Sequence, residues 1–183
     1  MSDLVRVAVD AMGGDYAPVE PVKGAVEAVN ADERVKVQLV GQVDVIEKEL
    51  QKYTYPKERV EIVPATEIIE TGEPPVNAIR HKKDSSIVVG MKKVRYGEAD
   101  AFVSSGSTGA VLVGGQTIVG RIKGVERPPL APLIPTKDGV SLLIDCGANV
   151  DARPSHLVQF AMMGSIYICL LYTSPSPRDT ERS

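Results

Sequence analysis

Apolar and polar positions follow two rhythms that take turns along the chain. Leu4 to Val9 alternates through Val5, Arg6 and Val7 and stops at Asp10, the period of a short strand. Pro18 to Asn30 then places Val22, Ala25, Val26 and Val29 at i, i+3, i+4 and i+7, which predicts a helix. Val35 to Val40 alternates again up to Gly41, and Val43 to Tyr53 reads as a charged amphipathic helix. Val60 to Val63 is a third strand, closed by Pro64. Ser85 and Ser86 can cap a helix carrying Ile87, Val88, Met91 and Val94 and ending near Gly97. Ala101 to Val103 is a short buried strand, Ser105 to Gly109 a loop, and Ala110 to Val119 the helix after it. Val140 to Ile144 is a further buried strand ending at Asp145, and the four prolines between Glu126 and Asp138 predict extended backbone before it. Strands alternating with helices predict an α/β fold with a mostly parallel sheet and helices on both faces, a three-layer α/β/α arrangement.

The last apolar stretch, Leu157 to Tyr172, is interrupted by Gln159 and Ser165 and is shorter than the roughly 20 residues of a spanning helix. A core helix is expected there. From Ile168 the periodicity stops, and LLYTSPSPRD resembles translated sequencing-adapter read-through; a natural polar tail is the plainer alternative. Residues 1–167 are therefore taken as the N-terminal part of one α/β domain, and residues 168–183 as a non-native or disordered tail. The fold is expected to be incomplete at the C-terminus.

Composition narrows the functions. The 183 residues carry 21 basic and 24 acidic side chains, for a formal charge of -3, with 4% aromatics. That gives no basic stripe or stacking platform for nucleic acid. Cys146 and Cys169 match no metal-ligand spacing and form no disulfide framework, so no metal and a reducing cytoplasm are expected. The N-terminus breaks into Gly13, Gly14 and Asp15 too early for a signal peptide.

Three small-residue loops each follow a predicted strand, where ligands of open α/β sheets bind. In the first, Asp10 to Asp15, Gly13 and Gly14 let the backbone close around a small anion, while Asp10 and Asp15 accept hydrogen bonds, orient the loop or take a metal. A tight strand-to-helix turn needs the same residues. The second, Ser104 to Ala110, sets Ser105, Gly106, Ser107, Thr108 and Gly109 at a helix start, either a phosphate cradle or a capped Ser/Gly turn. It lacks the lysine of a Walker A loop and the spacing of a nucleophile elbow. The third runs from Asp145 through Gly147 to Asn149, whose amide both donates and accepts. Cys146 within it is expected to be a small buried residue rather than a nucleophile.

Ala65 to Asp84 carries Glu67, Glu70, Glu73, Arg80, His81, Lys82 and Lys83, with Pro74 and Pro75 marking a loop that leads into a charged turn. Its basic run suits a phosphate, an acidic partner or plain solvent. His81 is its candidate for proton transfer near neutral pH, and His156 is expected to be structural.

Taken together, VAVDAMGGDYAP, ATEIIETGEPPVNAIRHKKDSS, ADAFVSSGSTGA and LIDCGANVDARPSHLVQFAMMGSIY resemble, in order, the PlsX family of phosphate acyltransferases. The resemblance covers essentially all of residues 5–167. It implies a fold similar to phosphate acetyltransferases and to the isocitrate/isopropylmalate dehydrogenase group. It also implies a cytoplasmic, peripherally membrane-associated homodimer, about twice this length. Such enzymes move a long fatty acyl group from acyl carrier protein to inorganic phosphate, with no cofactor, and hand the acyl phosphate to a membrane glycerol-3-phosphate acyltransferase. On that reading Asp10, Gly13, Gly14, Asp15, Ser105, Gly106, Ser107, Thr108, Gly109, Asp145 and Gly147 hold phosphate or substrate, and His81 and Asn149 support the chemistry. The rivals are an acetyltransferase-like enzyme using coenzyme A thioesters, a non-catalytic phosphate-binding module, and an inactive fragment.

Overall fold

The computed structural model describes residues 4–137 and 139–173, and the chain divides between Gly120 and Arg121 into two compact units. The first unit is built on four parallel strands: β1 (Val5–Asp10), β2 (Val35–Gly41), β3 (Val60–Pro64) and β4 (Ala101–Val103), in the order β3-β2-β1-β4. β1 runs against β2 from Val5 opposite Val35 to Asp10 opposite Val40, and against β4 from Val7 opposite Ala101 to Val9 opposite Val103. Helices α1 (Val19–Ala31) and α2 (Val43–Leu50) follow the first two strands. Helices α3 (Pro75–His81) and α4 (Ser86–Arg95) link β3 to β4, and α5 (Thr108–Gly114) leads into a π-helical turn, Gly115–Val119.

Strand period decides which side chains meet which helix. Val37 and Leu39 join Val22, Val26, Val29, Ile46 and Leu50 in a core beneath α1 and α2. Ala8, Val40 and Val63, one position out of step with that face, pack with Val89, Val94 and Phe102 on the α4 side. Both faces are thus covered, as expected of a parallel sheet, although Arg6, Lys36, Gln38 and Glu61 interrupt the apolar runs of the strands. Ser85 caps α4, its hydroxyl accepting from the Val88 amide, as the paired serines predict.

One difference falls between Pro74 and His81, where a charged turn after the two prolines is expected and helix α3 forms instead. Pro75 occupies its first turn, where the missing N–H costs nothing. Ala78 and Ile79 give it a buried side.

Side-chain ties hold the sheet's edge. The Arg6 guanidinium donates to both Asp100 carboxylate oxygens, Nε to Oδ2 at 3.1 Å and Nη2 to Oδ1 at 2.8 Å, and the Arg6 amide donates to the same carboxylate. Those bonds hold Asp100 below the usual carboxylate range. The Thr66 hydroxyl and amide do the same for Asp84. A carboxyl depressed by folding contributes stability that is complete above its unfolded value near 4 and is lost as pH falls through the folded value. The thermal midpoint is therefore expected to fall progressively below about pH 4. Asp100→Asn should flatten that acid limb slightly, because the pair is partly exposed; an unchanged limb would remove Asp100 as a contributor.

The second unit holds an antiparallel pair, β5 (Leu133–Thr136) with β6 (Gly139–Leu142), and the helix α6 (Pro154–Thr173). The segment Val140 to Ile144, expected to be a buried strand, instead contributes Val140, Ser141 and Leu142 to this pair, and Val140 and Leu143 are exposed. An apolar run alone does not distinguish the two. Cys146, expected to be buried, is exposed. His156 is structural, as anticipated. It is buried beside Phe160, its Nδ1 accepts from the Arg153 amide and its Nε2 lies 3.0 Å from Glu126 Oε2.

Helix α6 continues through Ile168, where the sequence periodicity stops, to Thr173; residues 174–183 lie outside the described residues. It is long and apolar enough to cross a membrane by length and composition, and only 17% of Pro154–Leu171 is buried. It is not the buried core helix expected, since Leu157, Val158, Met162 and Ile166 are exposed.

Candidate functional site

The strand order reverses beside β1. The chain builds outward through β2 and β3, then crosses back to lay β4 on the other side of β1. At such a switch point the loops leaving two neighbouring strands diverge and open a crevice. The loops leaving β1 and β4 are Asp10–Asp15 and Ser104–Ala110, two of the three singled out by sequence.

They touch through one carboxylate. Asp10 is 1% exposed, and its Oδ1 accepts the Met12 amide at 3.1 Å. Its Oδ2 accepts the Ser104 hydroxyl at 2.7 Å, and Ser104 Oγ in turn accepts the Gly106 amide at 3.0 Å. This relay joins residues 94 positions apart and sets the second loop against the first. Glycine is required where they meet. A Cβ on Gly13 would sit 2.3 Å from Asp10 Oδ2 and 2.8 Å from the Gly106 nitrogen.

The hydrogen bonds that are not made matter as much. Among the described residues, the amides of Gly13, Gly14 and Ser105 and the hydroxyls of Ser105 and Thr108 have no partner. Ser107 is buried and serves as a cap, its hydroxyl accepting from the Ala110 amide. Asp15 is exposed. A cleft of about 590 Å3 has Asp10, Gly13, Gly14, Ser104 and Ser105 in its wall, together with apolar Val9 and Val103. The unused donors of Gly13, Gly14 and Ser105 on its wall suit a small oxyanion, while the rest of the wall is mostly apolar. The sequence places Ser104 at the start of the second loop without giving it a role, although a hydroxyl directly after a strand end is a signal for such a latch.

The other candidates lie elsewhere. His81 closes α3, exposed, with Nδ1 2.9 Å from the Asn77 carbonyl. The first turn of α3 does reach the second loop, since Pro75 Cγ lies 2.5 Å from where a Gly109 Cβ would be. Lys82 is committed to Glu73 and the Ile68 carbonyl, and Glu73 is held below its ordinary range first by Lys82 and then by the Glu70 amide.

In the second unit, Asp145 takes the amides of Leu130 at 2.7 Å and Asn149 at 2.8 Å. Burial pushes its carboxyl upward, but these bonds outweigh it and hold it low. The Asn149 side-chain nitrogen donates to Pro128 and Asp145, and Gly147 turns the loop at φ 79°. No group of three or more His, Cys, Asp or Glu suited to a metal occurs among the described residues.

Comparisons with known proteins bear on the fold and the family. Solved phosphotransacetylases from Streptococcus pyogenes and Staphylococcus aureus share the fold, with TM-scores of 0.63 and 0.61 over 86% of this chain and 51% of theirs, at 18% and 19% identity. The fold is thus the α/β Rossmann-like arrangement with a parallel sheet. The family model described as fatty acid synthesis protein matches residues 5–180, and the chain belongs to that family. The phosphate acyltransferase of Alkaliphilus oremlandii is 51% identical over 164 residues, 89% of this chain and 48% of the relative. That of Clostridium beijerinckii is 49% identical over 173 residues, 94% of this chain and 52% of the relative. The chain spans about half the length of the curated relatives it matches.

Proposed function

We propose that this chain carries the phosphate-holding part of an enzyme that transfers a long-chain acyl group from an acyl carrier protein thioester to inorganic phosphate. The observation that supports this most is the set of unpartnered amides at Gly13, Gly14 and Ser105, gathered at the switch point by the Asp10–Ser104 relay. Phosphate is a strongly hydrated, weak nucleophile. Fixed N–H and hydroxyl donors replace its water and hold one oxygen toward the thioester carbonyl. That oxygen forms the new C–O bond as the C–S bond breaks. The sulfur leaves with the electron pair and takes up a proton, and hydrogen phosphate brings in one proton that the thiol can carry out. The atoms and charges balance without a cofactor.

On this reading the enzyme works as a homodimer at the cytoplasmic face of a membrane and passes acyl phosphate to a glycerol-3-phosphate acyltransferase there. The shared phosphotransacetylase fold favours one rival, transfer from a short-chain coenzyme A thioester. Phosphate-dependent loss of palmitoyl-carrier-protein thioester, set against loss of acetyl-coenzyme A, decides between them. The assay is run on this chain and on a chain of the relatives' length carrying these residues. Turnover of the carrier-protein thioester is expected in the longer chain at least. Consumption of acetyl-coenzyme A alone would install the rival, and no turnover of either would leave a binding module.

A further inference from the structure

Asp10 is an odd neighbour for an anion. It is buried, it lies at the contact of the two donor loops, and among the described residues no lysine or arginine forms an ion pair with it. A carboxylate only accepts hydrogen bonds, and each oxygen offers two lone-pair sites. One site on Oδ1 is filled by the Met12 amide and one on Oδ2 by the Ser104 hydroxyl, which leaves capacity on both. A fully deprotonated anion held by the Gly13, Gly14 and Ser105 amides would face this carboxylate with repulsion, little screened in a buried setting. An anion that still bears a proton turns the same contact into a charge-assisted hydrogen bond.

We propose that Asp10 is a specificity-determining residue that admits only a protonated oxyanion, accepting the hydrogen bond of the P–OH group of phosphate. The proposal rests on the phosphate-binding reading above and adds to it a rule for which anions qualify. It also gives the bound phosphate an orientation. The proton-bearing oxygen faces Asp10, and a proton-free oxygen remains for the acyl carbon. Ser104, bonded to Asp10 Oδ2, is the positioning residue that fixes the carboxylate.

Four anions of similar shape test this on the unmodified chain at pH 8 by calorimetry. Phosphate and arsenate each carry one proton there, whereas sulfate and monofluorophosphate carry none. Phosphate and arsenate are expected to bind at least about tenfold more tightly than the other two, the size of one hydrogen bond to a charged group. Asp10→Asn, whose amide can donate, should weaken phosphate and strengthen sulfate until the ratio approaches one. Ser104→Ala should weaken phosphate while leaving phosphate preferred over sulfate.

Equal affinity of the unmodified chain for phosphate and monofluorophosphate overturns the proposal, and needs no variant to fold. A preference that survives in a folded Asp10→Asn chain overturns it as well. Failure of the underlying reading looks different: none of the four anions binds, and no phosphate-dependent turnover appears.

Discussion

Gly13→Ala is expected to lower phosphate-dependent turnover by about a hundredfold or more, on the scale of a 1 Å misplacement of reacting groups. The new methyl would lie 2.3 Å from Asp10 Oδ2, 2.9 Å from its Cγ and 2.8 Å from the Gly106 nitrogen. Neither neighbour can yield cheaply, because Asp10 is buried and Gly106 contributes backbone. The strain is relieved only by parting the loops, which stretches the 2.7 Å Ser104–Asp10 bond and scatters the free amides. Overpacking of this kind costs about 1–3 kcal/mol of stability, so the loss of turnover should exceed what unfolding explains. Gly106→Ala is the graded control. Its methyl meets nothing closer than 3.2 Å, and a smaller loss is expected. Turnover near the unmodified level in Gly13→Ala would show that the loop contact does not organise the site.

Leu39→Ala is expected to cost about 3–5 kcal/mol in denaturant unfolding, the largest stability loss foreseen for the first unit. Leu39 is fully buried on β2, between β1 and β3, and faces the α1–α2 layer. Deleting its side chain removes contacts with both helices and leaves a space that a sheet bonded on two sides cannot close by relaxation. The exposed Leu4, at 47% exposure, provides the contrast: Leu4→Ala should stay within about 0.5 kcal/mol. A loss below about 1 kcal/mol at Leu39 would mean that the α1–α2 core is more plastic than its packing indicates.

These two positions differ in how readily the sequence exposes them. Leu39 sits in a run, VKVQLV, whose period is local, so its burial follows from strand geometry alone. The same holds for α1, whose buried Val22, Ala25, Val26 and Val29 are the positions that helical spacing selects. The glycines of the first two loops were equally visible, because only a missing side chain explains small residues clustered after a strand.

Long-range and ambiguous features were not visible. The apolar run after the proline-rich segment fits a buried strand of a parallel sheet as well as half of an exposed antiparallel pair, and the structure chose the pair. Two prolines before Val76 read as a break, yet a proline at the first helical position gives up no hydrogen bond, and α3 formed behind it.

By itself, then, the sequence determined the alternation of strands and helices in the first unit, the faces that α1 and β2 bury, and the residue types of an oxyanion loop, because all of these depend on neighbours a few positions away. The tertiary structure alone decided that β4 returns to the open side of β1, since strand order depends on contacts across about 90 residues. From that one placement come the Asp10–Ser104 bond, the close approach of Gly13 to Gly106, and a buried acceptor standing among unused donors. Side chains 94 positions apart have no local pattern to announce that they meet.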